Sequence, residues 1–95
     1  MIDAEAKVAR NPNVAHHELG GDEGSVLLHL ESGAYFGLNT TGSLIWQLLD
    51  QPMTVAELLA HLRSRLPEAP PELESDVQAF LDDLRRREIV RIVPD

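Results

Sequence analysis

The apolar residues change their period at Asn39, and that switch fixes the order of elements along the chain. Before it they alternate, the pattern of strands; after it they return every three or four positions, the pattern of helices. Residues 14–19 read as a first strand, closed by Gly20, Gly21, Asp22, Glu23 and Gly24, a cluster suited to a tight reversal. In 25–30, Val26, Leu28 and Leu30 share one face, and Ser25, Leu27 and His29 the other, which reads as the non-core side. Glu31, Ser32 and Gly33 form a hairpin connection. A third strand follows over 34–38, with Phe36 and Leu38 toward the core and Tyr35 facing away.

The second half predicts three helices. Asn39, Thr40 and Thr41 offer N-caps for a helix with Leu44, Ile45, Leu48 and Leu49 on one stripe, ending near Pro52. Thr54 and Glu57 have the spacing of a capping box, ahead of a stripe of Val55, Leu58, Leu59 and Leu62. After the proline-rich break at 66–71, a third helix is expected from Pro71 or Glu72, carrying Leu73, Val77, Phe80, Leu81 and Leu84 inward. Residues 89–93 read as a short final strand, and residues 1–12 as a loose arm ahead of one domain over 13–95. The expected fold is α+β and winged helix-turn-helix-like: a three-stranded antiparallel sheet followed by three helices.

Several chemistries drop out. With no cysteine, the chain has no disulfide, thiolate metal site or cysteine nucleophile. His16 and His17 point to opposite faces of a strand, and His16 with His29 makes at most two ligands, so no metal site is expected. The serines lack a G-x-S-x-G context, and the run from Gly37 to Gly42 lacks a Walker lysine. No enzyme activity and no cofactor are expected. Sixteen acidic residues against eight basic ones leave a charge of -8, which disfavours a nucleic-acid partner. A winged-helix DNA-binding regulator therefore stands as a remote alternative. The longest apolar runs are three residues, and the N-terminus shows no signal-peptide pattern, so a cytoplasmic protein that does not enter membranes is expected.

What remains is a strand edge. Residues 34–38 carry neither charge nor proline. If that strand lies at a sheet edge beside the third helix, an extended peptide can add to it as a further strand.

The run Tyr35-Phe36-Gly37-Leu38-Asn39, then Gly42 and Ile45 to Asp50, resembles the signature of PqqD-like proteins. Thr54, Val55, Glu57 and Leu58 in the second helix, and Asp76, Val77, Phe80, Leu81 and Leu84 in the third, continue the resemblance. It implies a RiPP recognition element, which binds the leader of a ribosomally made precursor peptide. In that family the leader adds antiparallel to the third strand, with its apolar residues in a cleft against the third helix. Carried over by position, Ala34, Tyr35, Phe36, Gly37 and Leu38 would pair with the leader. Asp76, Val77, Phe80, Leu81 and Leu84 would form the helix side, some of them serving as plain core. Gly42, Ile45, Trp46 and Leu49 would maintain the fold. The implied partners are a precursor peptide with a leader peptidase, a cyclase or both, in lasso-peptide synthesis. The alternative is a radical-SAM enzyme, in pyrroloquinoline quinone or another RiPP pathway. The hairpin from Glu31 to Asn39 is more similar to lasso-type members, and a monomer is the expected state.

Overall fold

The structure, a computed structural model, describes residues 2–20 and 23–93; Gly21 and Asp22 of the expected first reversal lie outside the described residues. The elements run β1 (Lys7–Arg10), β2 (Val14–Glu18), β3 (Ser25–His29), β4 (Tyr35–Leu38) and α1 (Thr40–Leu48). They continue as β5 (Met53–Thr54), α2 (Val55–Arg65), α3 (Leu73–Arg86) and β6 (Val90–Val93). The α+β class and the order of three helices match the expectation. So does the three-stranded meander, which forms as β2-β3-β4. A second three-stranded antiparallel sheet, in the order β5-β1-β6, was not expected.

The main correction concerns the first twelve residues, expected as a loose arm outside a domain over 13–95. Lys7–Arg10 is the middle strand of its sheet, with Val8 opposite Met53 on one side and Ile92 on the other. Ile2 and Val8 are fully packed into the core. Flanked on both sides, β1 has its backbone groups paired, and its apolar residues join the same core as the helices.

The facing of β3 is a second correction. Ser25, Leu27 and His29 point into the core, while Val26 and Leu28 are only half-buried and Leu30 is exposed. Leu27 stands opposite Phe36, and Ser25 opposite Leu38. The two polar residues are accommodated by hydrogen bonds. The Ser25 and Ser43 hydroxyls lie 2.6 Å apart, fastening β3 to α1. His29 Nδ1 accepts from the amides of Glu31 and Ser32, each at 3.3 Å.

Local capping sets the helices. The Asn39 side chain accepts from the Gly42 amide, starting α1 directly after β4. The Thr54 and Glu57 capping box forms as expected, and the Thr54 amide and hydroxyl hold the Glu57 carboxyl below the ordinary carboxylate range. α3 starts at Leu73, just after the expected point, with Leu73, Val77, Leu81 and Leu84 buried. Each such leucine or valine removed from water contributes about 1.5–3 kcal/mol before entropy is counted.

One cluster joins the two sheets. Arg10 of β1 donates from Nε to the Trp46 carbonyl at 3.0 Å, and from Nη2 to the same oxygen. Its guanidinium also lies 4.7 Å from the Trp46 ring centroid. The His16 ring of β2 is 6.1 Å from that indole. Burial lowers the Arg10 pKa and Asp50 partly offsets the shift. The arginine thus satisfies a carbonyl in the last turn of α1, where the helix dipole favours a cation.

Candidate functional site

β4 pairs with β3 and with no other described strand, so one of its edges is free. Antiparallel pairing alternates inward and outward backbone groups along a strand. The His29 amide donates to the Ala34 carbonyl at 2.9 Å, which sets the phase. Residues 34, 36 and 38 therefore turn their backbone groups toward β3. The contact at Gly24 agrees, because a Cβ there would sit 1.9 Å from the Leu38 carbonyl oxygen. Only glycine fits that approach, and its φ of +83° is also one that glycine adopts freely. Tyr35 and Gly37 are left with their N–H and C=O groups on the free edge. Tyr35 is 72% exposed, and neither charge nor proline guards this edge.

α3 runs alongside. The Arg87 guanidinium at its end lies over the Phe36 ring, and Phe80 packs so close to α1 that a Cβ on Gly42 would be 3.2 Å from its Cζ. Between the Leu38 end of β4, the start of α1 and the first half of α3 lies an open cleft of about 880 Å³. Its apolar lining includes Leu38, Ile45, Leu73, Val77 and Phe80. Arg65, Glu68 and Asp76 place charge on it as well.

The expected site residues fall into three groups. Gly37, Leu38, Asp76, Val77 and Phe80 line the cleft. Ala34, Tyr35 and Phe36 lie outside its lining, with Tyr35 on the adjoining strand edge and Phe36 beneath Arg87. Leu81 and Leu84 are closed off as core, with 0% and 3% exposure. Sequence reasoning missed the α2–α3 loop, where Leu66, Pro67, Ala69 and Pro70 line the cleft. The signal was available: four apolar residues in one connection are more than a solvated loop needs. Gly42 and Ile45, expected only to maintain the fold, also reach the cleft.

On the surface of α2 and α3, charge is arranged in weak pairs. Arg63 of α2 reaches Glu74 at 3.7 Å, and Asp83 takes Arg86 and Arg87 at 3.6 and 3.1 Å. Among the described residues no three His, Cys, Asp or Glu side chains are grouped to hold a metal ion. No described helix is long and apolar enough to cross a membrane.

A sequence model for Coenzyme PQQ synthesis protein D (PqqD) matches residues 24–90, which spans β3 to the start of β6. A solved structure, TbiB1 in complex with the TbiA(beta) leader peptide, is similar in fold, with a TM-score of 0.75 and 31% sequence identity. That match covers 92% of this chain and 99% of TbiB1. No curated protein sequence matches.

Proposed function

This chain belongs to the PqqD family, and on that premise we propose that it binds the leader segment of a ribosomally made precursor peptide. The observation that carries the reading is the free edge of β4 running into an apolar cleft faced by α3. The leader adds as a strand antiparallel to β4, taking its backbone hydrogen bonds from Tyr35 and Gly37. Alternate leader side chains turn inward, where Val77 and Phe80 offer apolar surface and Asp76 a charge. Ala34 and Phe36 act by holding the strand, and Leu81 and Leu84 by holding the helix. The similarity to TbiB1, seen with a leader peptide, supports this reading.

The chain's part is carriage. Bound leader is presented to a leader peptidase, a cyclase or both, which carry out the chemistry of lasso-peptide biosynthesis; the hairpin from Glu31 to Asn39 favours that pathway. A second reading, presentation to a radical-SAM enzyme in pyrroloquinoline quinone synthesis, draws on the family's own description. Titration of labelled leader peptides from lasso-peptide and PqqD-type precursors tests the shared step. Saturable binding of the leader, with none to duplex DNA, is the expected result. DNA binding without leader binding would replace the proposal with a regulator.

A further inference from the structure

Among the described residues three large apolar side chains stand exposed, Leu19, Leu30 and Tyr35, and all three fall on one face of one sheet. Buried Ser25, Leu27 and His29 set the phase of β3, so Val26, Leu28 and Leu30 face outward. The register carries that phase to the neighbouring strands. Ala15, Leu28 and Tyr35 form one row across the sheet, and His17, Val26 and Gly37 the next. The ladder continues past both ends of β2. The Leu19 amide donates to the Gly24 carbonyl at 3.1 Å, and the Leu30 amide to the Asn13 carbonyl at 2.8 Å, which puts the two leucines at opposite ends of this face. Neither Val26 nor Leu28 packs against the core. An antiparallel sheet with one wet face ordinarily turns polar side chains outward. This one presents leucine, valine and tyrosine, with no carboxylate in either row. We propose that this face docks the enzyme that processes the bound peptide, through an apolar patch rimmed by basic side chains. The inference rests on the strand-addition reading above and extends it from the peptide to the protein that acts on it.

Two observations identify the occupant. The first is continuity with the peptide edge. Tyr35 and Gly37 belong to the face by their place in the rows, and to the free edge of β4 by their backbone groups. A strand added to β4 widens the sheet, and those of its side chains that miss the cleft stand beside Tyr35 on the same face. A protein seated there touches the peptide as well, as an enzyme acting on the loaded complex must.

The second is charge. Between Arg10 and Arg63 the sequence has no lysine or arginine. Exposed Glu23 follows the Leu19 end of the face, and Glu31, held by the Asn13 side chain at 2.8 Å, follows Leu30 at the other. An apolar centre inside a charged rim is the anatomy of a protein interface. Both ends are acidic, so two copies of this chain, each of charge -8, would set acid against acid in either orientation. A partner with basic groups around its own apolar patch gains where a second copy loses.

The test takes the leader that binds in the titration above, with the leader peptidase, cyclase or radical-SAM enzyme of that leader's own pathway as the probe. Enzyme binding to the leader-loaded protein is measured for the parent, for Leu19→Lys/Leu30→Lys and for Glu23→Gln/Glu31→Gln. Leu19 and Leu30 are 47% and 59% exposed, so the lysine variant charges the face without entering the core. It is expected to bind leader as the parent does and to lose about thirtyfold or more in enzyme affinity. The glutamine variant is expected to slow enzyme association about threefold and to leave dissociation unchanged. An enzyme that binds the parent and the lysine variant alike overturns the inference and leaves leader binding standing. So does the absence of enzyme binding to the loaded parent, or a parent dimer that the lysine variant disperses. A glutamine variant that associates as fast as the parent overturns the basic rim assigned to the partner. If no leader binds, the peptide-binding reading itself fails, and this inference with it.

Discussion

The Arg87 guanidinium lies over the Phe36 ring, 5.0 Å from its centroid. The contact ties the last turn of α3 to the middle of β4, while Arg87 also pairs with Asp83 on its own helix. With Phe80 set against Gly42 on α1, it fixes how far α3 stands from the strand, and hence the width of the cleft. Because Phe36 turns its side chain under the helix, Tyr35 and Gly37 take the opposite phase and keep their backbone groups on the open edge.

A proline at Tyr35 removes one outward N–H and leaves the ladder to β3 in place. Tyr35→Pro is expected to weaken leader binding about tenfold or more, with a melting temperature close to that of the parent. Tyr35→Ala keeps the amide and separates the contribution of the ring. Calorimetric titration reads both. Equal affinities for the proline and alanine variants would mean that the amide is unused.

Adjacent positions on α3 should separate binding from stability. Leu81 is fully buried, so Leu81→Ala is expected to cost about 2–5 kcal/mol of stability by leaving a cavity. Phe80 lines the cleft and is half-buried, so Phe80→Leu is expected to lower leader affinity with a stability change under about 1.5 kcal/mol. Denaturant unfolding beside a binding isotherm distinguishes them.

The N-terminal strand carries its own prediction. Val8 is fully buried in the middle strand of its sheet, so Val8→Ala is expected to cost about 2 kcal/mol. Removing residues 1–10 strips both β5 and β6 of their partner and should abolish cooperative unfolding. A truncated chain that melts like the parent would show β1 to be dispensable.

The capping box gives a pH dependence. Hydrogen bonds from Thr54 depress the Glu57 pKa in the folded state, so its stabilising effect is present above the unfolded carboxylate value, about 4.3. It is lost as pH falls through the folded value. Thermal melts of the parent and Glu57→Gln should differ at neutral pH and converge in acid. A difference unchanged across that range would assign the effect to something other than the charge.

Local signals made much of this legible. The capping box, the caps at Asn39, and the placement of Phe36 against Tyr35 follow from short-range chemistry that a sequence displays. β1 did not, because Lys7 to Arg10 has no local signature. It becomes a strand only by pairing with residues 53–54 and 90–93, far away in sequence. The face of β3 was misread for a related reason. Both of its faces are partly apolar, and the choice depends on Ser43 and on the amides after His29, which supply partners for the buried polar groups. The cleft was half legible: α3 showed its stripe, but nothing local says that Leu66 to Pro70 folds over the same space.

The most direct test of strand addition is backbone amide exchange at β4, followed by NMR as leader is added to the intact protein. Tyr35 and Gly37 should gain protection on saturation, while Phe36 and Leu38, already turned toward β3, should change little. Leader binding that leaves Tyr35 and Gly37 exchanging as fast as in the free protein would contradict the account.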